Sequence, residues 1–151
     1  GGPLLNLRGE VIGINTAMAQ GAENIAFAIP VNKAKRDLES IKLHSRIVYP
    51  FLGVRYQTVT KDLAAEKKLE RDYGVVLVSA EKDPAVAAGS PADKAGLKEG
   101  DIILELNGER IGPERPLASI LEKYQAGDEI SLKVFRTDKE FEVRVKLEER
   151  K

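Results

Sequence analysis

Cysteine is absent from this 151-residue sequence, and histidine occurs only once, as His44. Without cysteine the chain has no disulfide, no thiol nucleophile and no thiolate ligand for zinc, although such a composition suits reducing and oxidising compartments alike. His44 falls near the predicted end of a helix, where a solvated or capping histidine is more common than a catalytic base. No metal-binding or cofactor-binding motif accompanies it, and we predict no metal site and no cofactor.

Charge of one sign and long apolar runs are also lacking. Lysine plus arginine and aspartate plus glutamate both number 24, so the formal net charge is zero. A chain without a basic field has little electrostatic attraction for nucleic acid or an anionic membrane, and we predict neither as a partner. No apolar run approaches the ~20 residues of a membrane span, and the first residues lack the segments of a signal peptide. The length suits one ordinary domain, or a domain of ~100 residues with part of a second.

Short β-like runs fill the first part of the chain. They cover residues 3–7, 10–19 and 24–29, with breaks at Arg8-Gly9 and Gln20-Gly21. This pattern predicts three antiparallel strands. Pro30 stops the third strand, and Asn32 is the predicted cap of a helix that ends near His44. The apolar side of this helix carries Val31, Ala34, Leu38 and Ile41.

Three strands and one helix bury too little apolar surface to be stable alone, because domains below ~40 to 60 residues usually need disulfides, a bound metal or oligomerisation. We therefore expect these elements to belong to a larger sheet, with Phe27 in its core.

The stretch "SPADKAGLKEGDIILELNGERI" carries strong local signals. Ser90 is a predicted helix cap, Pro91 suits the first helical turn, and Asp93 completes a capping-box spacing. Gly96 suits the left-handed position that ends the short helix. Asn107-Gly108 is the strongest short signal for a hairpin, so a chain reversal is expected there.

The remainder from residue 49 alternates between helical and strand periods. A strand running to about Thr58 is followed by a charged helix over 60–69 and a buried strand over 75–78. A last helix presents apolar residues at i, i+3, i+4 and i+7: Leu117, Ile120, Leu121 and Tyr124. Two alternating strands close the chain, and the pattern predicts a mainly β fold with helices, a small α+β barrel or sandwich.

These stretches resemble two known families of sequence. "SPADKA" followed by "GLKEGDIILELNG" resembles the core of a PDZ domain of the bacterial, circularly permuted type, whose carboxylate-binding loop would here be "YPFLGV". The opening "GGPLLNLRGEVIGINTAMAQGAENIAFAIPVNKA" resembles the segment after the nucleophile in the HtrA (Deg) serine proteases, where the motif runs Gly-Asn-Ser-Gly-Gly-Pro. The resemblance implies a C-terminal remnant of a trypsin-like β-barrel over 1–48 and a PDZ domain over 49–151.

The protease part of the resemblance implies no catalytic residue in this chain. The family's serine would immediately precede Gly1, and its histidine and aspartate lie further upstream, so we expect no peptide hydrolysis by this chain alone. The strand that carries Thr16 and Met18 would flank the substrate pocket. Ordinary barrel packing is the alternative for both residues.

The PDZ part implies peptide binding by β-augmentation, in which a peptide adds as a strand and the loop holds its terminal carboxylate. Gly53 would let the loop expose successive N–H groups as an anion nest. The residues expected at the peptide are Phe51, Leu52, Gly53, Val54, Leu117, Ile120 and Leu121. Core packing is the alternative for each, and Phe51 could instead cover the pocket from outside.

Three functions follow from these observations. The first is a fragment of an HtrA-type serine endopeptidase of protein quality control, whose PDZ domain binds C-termini or extended segments of unfolded proteins. The second is a stand-alone, non-catalytic peptide-binding module, and the third is an unrelated β-rich scaffold. The HtrA resemblance implies an extracytoplasmic bacterial location, periplasmic or anchored to the membrane and facing outward, and a parent that is a homotrimer or a multiple of one. Strands separated from their barrel are also expected to self-associate.

Overall fold

The computed structural model of the chain describes residues 1–18 and 25–149, with the side chains of Met18 and Leu43 excepted. The chain divides into two compact units, Gly1–Val48 and Tyr49–Lys151. Within the described residues no helix has both the length and the apolar character that crossing a membrane requires.

The first unit is a three-stranded antiparallel sheet followed by one helix. Its elements are β1 (Pro3–Leu5), β2 (Val11–Met18), β3 (Ala26–Pro30) and α1 (Val31–His44). The strand order is β1-β2-β3, as the alternating runs predict. The predicted break at Gln20-Gly21 lies outside the described residues. The sheet leaves apolar side chains uncovered, and Phe27, predicted as core, is 58% exposed.

The helix of the first unit ends where predicted but starts differently. Its cap position is Pro30, with extended backbone and no side-chain hydrogen bond, so the assignment of Asn32 as the cap is wrong. The fixed φ of proline places the chain directly at the helix entrance, which leaves Asn32 inside the first turn. At the other end Ser45 adopts φ 57° and its N–H donates to the Ile41 carbonyl at 2.8 Å, so the helix closes at His44.

The second unit has a central antiparallel sheet with short helices. Its first elements are β4 (Pro50–Phe51), β5 (Tyr56–Thr58), α2 (Lys61–Glu66), β6 (Val75–Leu77), α3 (Pro91–Lys94) and β7 (Ile102–Leu106). Then come β8 (Glu109–Arg110), α4 (Leu117–Leu121), β9 (Glu129–Arg136), β10 (Lys139–Lys146) and β11 (Glu148–Glu149). The main sheet has the order β10-β9-β7-β6-β5, with β8 beside β7, and β11 pairs separately with β4. Since β5 and β10 lie at opposite ends of this order, the sheet is not closed. The predicted mainly β fold with helices is confirmed, and of the two predicted arrangements, barrel or sandwich, the barrel is excluded.

Each face of the main sheet buries its own apolar cluster. Alternate residues of β7 point to opposite faces, so Ile103 joins the larger cluster while Ile102 and Leu104 join the smaller one. The register against β9 shifts between Ile103 and Glu105, which returns Leu106 to the side of Ile103. The apolar run Ile102-Ile103-Leu104 of β7 is therefore explained by burial on both faces.

The predicted cap and first turn of α3 are confirmed, but the reciprocal bond of the capping box differs. The Ser90 hydroxyl accepts from the Asp93 N–H at 3.2 Å, and Pro91 occupies the first turn. The Asp93 carboxylate accepts from the Gly89 N–H at 2.7 Å, one residue before the cap, because the Ser90 N–H donates to the Ala87 carbonyl. Asn107 and Gly108 both have positive φ, 47° and 77°, which fits the predicted hairpin turn.

The last helix is shorter than its apolar spacing predicts. α4 ends at Leu121, and Tyr124 lies beyond it, in a tight turn where the Tyr124 N–H donates to the Leu121 carbonyl. Such i to i−3 bonds wind the chain more tightly than an α-helix. Apolar residues spaced like a helix can thus be buried by a turn that follows one.

Candidate functional site

The edge strand β5 has one side of its backbone unused. The Arg55 carbonyl accepts from the Val78 N–H at 3.1 Å, and the Val59 N–H donates to the Gly74 carbonyl at 2.9 Å, so these residues face β6. In an antiparallel pair, alternate residues direct their hydrogen-bonding groups to opposite sides. Val54, Tyr56 and Thr58 therefore present N–H and C=O groups to the open edge of the sheet. Such an edge is a template for a further strand.

The turn that leads into this edge exposes N–H groups and hides carbonyls. The Leu52 carbonyl accepts from the Ala92 N–H and the Gly53 carbonyl from the Ala87 N–H, both at 2.9 Å. Within residues 1–18 and 25–149, no group accepts from the N–H groups of Leu52, Gly53 and Val54. Successive free N–H groups form a concavity with positive partial charge that suits an anion such as a carboxylate.

Gly53 is required at this turn by its neighbour Ser90. Gly53 has φ +85°, and a Cβ atom built on it would lie 2.5 Å from Ser90 Oγ and closer still to Ser90 Cβ. Ser90 is only 4% exposed, and its hydroxyl also lies 3.4 Å from the Gly53 carbonyl. The cap of α3 thereby holds the turn from behind, and a side chain at position 53 would push the two apart.

Apolar side chains of the turn and of α4 meet in one cluster. Leu52, Leu117 and Ile120 are buried in it, and Val54 and Leu121 pack against it from partly exposed positions. The structure thus brings together five of the seven residues predicted for a peptide groove. Leu117 and Ile120 are fully buried and also serve as core, so the partly exposed Val54 and Leu121 are the ones a ligand could reach.

Phe51 and Gly53 complete the predicted set, and Phe51 lies apart from the cluster. It is half-buried on β4 and lines an open pocket of about 390 Å³ with residues 87–90 and Glu148 and Glu149. Its ring approaches the position where a Cβ on Gly53 would lie, at 3.3 Å. Phe51 therefore borders the turn at Gly53.

The arginine next to the edge strand is paired with an aspartate. Arg55, next to the edge strand, points to Asp83, with Nη2 2.6 Å from Oδ2. Asp83 belongs to the connection between β6 and α3, which also pairs with the edge strand through the bridge between Val54 and Val86. Recognition of an anion there would depend on backbone N–H groups.

Comparison with known proteins agrees with this geometry. The sequence profile described as PDZ domain matches residues 50–147. The chain belongs to the PDZ-domain family. PDZ domains bind peptides as an added strand at a sheet edge, and residues 49–151 are called the PDZ unit below.

The similarity to HtrA proteins extends over nearly the whole chain. Probable periplasmic serine endoproteases described as DegP-like are 38% identical in Chlamydia muridarum, over 96% of this chain and 29% of the relative. The Marinomonas sp. relative of the same description is 39% identical, over 99% of this chain and 31% of its own length. The chain thus spans less than a third of these curated relatives. The HtrA resemblance of the sequence is confirmed.

Solved HtrA structures have the same fold. The HtrA-type protease AlgW with a decapeptide superposes with a TM-score of 0.76 at 28% identity, over 100% of this chain and 46% of that one. AlgW with a tripeptide gives a TM-score of 0.73 at 28% identity, over 100% of this chain and 49% of that one.

The two residues predicted for a protease pocket lie on β2. Thr16 is exposed, and its hydroxyl donates to the Phe27 carbonyl on β3 at 3.1 Å. Met18 ends the strand, and its side chain lies outside the described residues. His44 is exposed at the end of α1.

Sequence reasoning missed three residues of the site. Tyr56 and Thr58 contribute backbone groups to the open edge, and Ser90 supports the turn through Gly53. The alternation Val54, Tyr56, Thr58 is a signal that could have identified the first two. Ser90 and Gly53 are 37 residues apart, and their contact has no local signal.

Proposed function

We propose that the PDZ unit binds the C-terminal ends of polypeptides as an additional strand along β5. The observation that carries this proposal is the adjacency of three free N–H groups, at Leu52, Gly53 and Val54, to the unpaired edge of the sheet. The N–H groups would hold the terminal carboxylate, and the edge would hold the backbone that precedes it. The similar HtrA-type protease AlgW has been solved with a decapeptide and with a tripeptide, which supports peptides as the ligand class.

The register of such a peptide follows from the edge. An antiparallel peptide with its last residue beside Val54 has its third residue from the end beside Tyr56 and its fifth beside Thr58. The last side chain then points toward the apolar cluster of Leu52, Val54 and Leu121. Apolar C-terminal residues are therefore the expected ligands, because they would bury surface there at about 25 cal/mol per Å².

At the level of the whole protein, we propose an HtrA-type serine endopeptidase of protein quality control. In this proposal residues 1–48 form the end of the trypsin-like protease domain, Thr16 and Met18 flank its substrate pocket, and the PDZ unit captures exposed ends of unfolded proteins. The names of the relatives support an extracytoplasmic, periplasmic location. A stand-alone peptide-binding module is less well supported, because the similarity covers residues on both sides of position 49.

The exposed apolar face of the first unit supports a further contact with protein. Leu5, Ile12, Phe27 and Ile29 are all more than a third exposed on one small sheet. Monomeric proteins rarely leave such a contiguous apolar patch uncovered. We propose that this sheet packs against another protein surface. When the chain is alone in solution, that surface belongs to a second copy of the chain.

Peptide affinity tests the proposed binding directly. The full chain would be titrated with short peptides that have apolar C-terminal residues, each prepared with a free carboxylate and with a C-terminal amide. Binding that requires the free carboxylate is expected, since an amide carries no charge for the N–H groups to stabilise. Equal affinity of the two forms would contradict capture by the turn.

A further inference from the structure

An open pocket with two arginines lies in the PDZ unit, away from the carboxylate turn. Its volume is about 590 Å³, and its lining consists of Tyr73, Arg110 and residues 112–115. The pocket therefore lies between the end of β8 and the loop that leads into α4.

The pocket lies where the edge strand ends. The carbonyl of Gly74, next to Tyr73, accepts from the Val59 N–H at 2.9 Å, one residue beyond the end of β5. The Gly74 N–H donates in turn to the carbonyl of Ile111, next to Arg110, at 3.1 Å. Tyr73 and Arg110 are thus held beside the Thr58 end of β5, the end opposite to the carboxylate turn.

The two arginines are available for an anionic ligand. The Arg110 guanidinium lies over the Tyr73 ring, 3.6 Å from its centroid, which occupies its face and leaves its edge donors accessible. Arg115 is exposed on the loop. Within the part of the chain that the structure describes, neither forms an ion pair, whereas nearby Lys123 is paired with Glu109 at 2.6 Å. Glu114 also lines the pocket, so its lining carries two positive charges and one negative charge.

We propose that this arginine pair binds an acidic side chain of the peptide, at its sixth or seventh residue counted from the C-terminal end. The inference rests on the peptide-binding function proposed above. With the fifth residue from the end beside Thr58, each further residue advances about 3.3 Å along the strand direction, so the next two residues pass the pocket. A carboxylate there would meet the edge donors of Arg110 and the charge of Arg115.

The test compares two peptides that differ only in charge. Both have the same apolar C-terminal residues and a free carboxylate, and the sixth and seventh residues from the end are either both Glu or both Gln. Their affinities would be measured by fluorescence anisotropy for the full chain, the double variant Arg110→Gln with Arg115→Gln, and the control Arg144→Gln. Arg144 is an exposed arginine on β10, 3.8 Å from Glu129, and unfolding in urea would verify that all variants fold.

The unsubstituted chain is expected to bind the Glu peptide about threefold to tenfold more tightly than the Gln peptide, which is the size of effect that exposed charge pairs produce. The preference would shrink with added salt, vanish in the double variant and persist in Arg144→Gln. Equal affinities for the parent chain, or a preference that survives in the double variant, would overturn the proposal. If carboxylate-dependent binding is found without the Glu preference, only this contact fails. If binding ignores the free carboxylate, the proposed peptide capture fails as well.

Discussion

Arg136 forms a bidentate ion pair with the buried carboxylate of Asp101, in which Nε donates to Oδ1 at 2.5 Å and Nη2 donates to Oδ2 at 2.7 Å. The Asp101 side chain is 1% exposed, and Oδ2 also accepts from the Lys98 N–H at 2.8 Å. Arg136 Nη2 donates further to the Gly96 carbonyl at 2.8 Å. The hydrogen bond to Asp101 raises the pKa of Arg136. This pair ties the end of β9 to the turn that starts the buried strand β7.

Replacing Asp101 with Asn is expected to lower the free energy of unfolding by about 1 to 3 kcal/mol. The variant keeps the size of the side chain but removes the charge that pairs with Arg136, which remains partly able to reach solvent. Urea unfolding measures the change. Glu129→Gln is the matched control, because its pair with Arg144 is exposed and 3.8 Å long, and its effect should stay within about 0.5 kcal/mol. Equal changes in the free energy of unfolding for the two variants would show that the Asp101–Arg136 pair does not stabilise the fold.

Acid stability should depend on Glu140. Hydrogen bonds from Lys133 and Arg71 lower the pKa of this carboxyl. A carboxyl whose pKa is lower in the folded chain stabilises it above the pKa of the unfolded chain, about 4.3, and loses this contribution as the pH falls through the folded pKa.

Unfolding in urea between neutral pH and about pH 3 tests this dependence. Glu140→Gln should make the acid side of the stability curve flatter. Glu70→Gln should not, because its hydrogen bond with Asp138 raises the pKa of Glu70: the contribution of Glu70 is present below its unfolded pKa and is lost as the pH rises through the folded one. Parallel curves for Glu140→Gln and the parent chain would refute the expectation.

Gly53→Ala should abolish carboxylate-dependent peptide binding. The new Cβ would collide with Ser90, and together with the positive φ this should cost about 2 to 4 kcal/mol of stability or displace the turn. Gly96→Ala is the control, since Gly96 also has positive φ, +78°, but no atom within 4 Å of a built Cβ. It should cost about 1 kcal/mol and keep binding. Full affinity in a folded Gly53→Ala variant would mean that the turn is not the carboxylate site.

Self-association is expected through the exposed sheet of the first unit. Sedimentation velocity should detect dimers or larger species that increase with concentration. Phe27→Lys should reduce them, because it places a charge in the apolar patch. Gln125→Lys adds the same charge at an exposed position of the PDZ unit outside β5 and should leave association unchanged. A strictly monomeric chain, with slow hydrogen exchange throughout β1 to β3, would contradict the proposal.

Local chemistry explains what could be predicted from the sequence. The α3 cap at Ser90 and the turn at Asn107-Gly108 depend on residues within a few positions of each other, and both are confirmed. The predicted cap at Asn32 is wrong because proline and asparagine both mark helix starts, and the conformation of Pro30 decides between them. The spacing of Leu117 and Ile120 could not separate groove from core, since both uses require the same face.

Contacts between distant segments could not be predicted. The Val54 bridge to Val86 and the Gly53 contact with Ser90 join segments more than thirty residues apart. These contacts determine which backbone groups of the turn are free. The spacing of apolar residues in the sequence gives no signal for them. The pocket of Arg110 and Tyr73 depends in the same way on the hydrogen bond between Gly74 and Ile111.

The most direct test of carboxylate capture is the amide chemical shift of Leu52, Gly53 and Val54 during titration with a C-terminal apolar peptide. With a free carboxylate, these three N–H signals should move most strongly downfield, as they acquire a charged acceptor, while the Gly96 signal stays in place. The amidated peptide should leave all of them nearly unchanged. If the peptide binds and these three signals do not respond, or respond equally to the amide, the terminal carboxylate is not held by this turn.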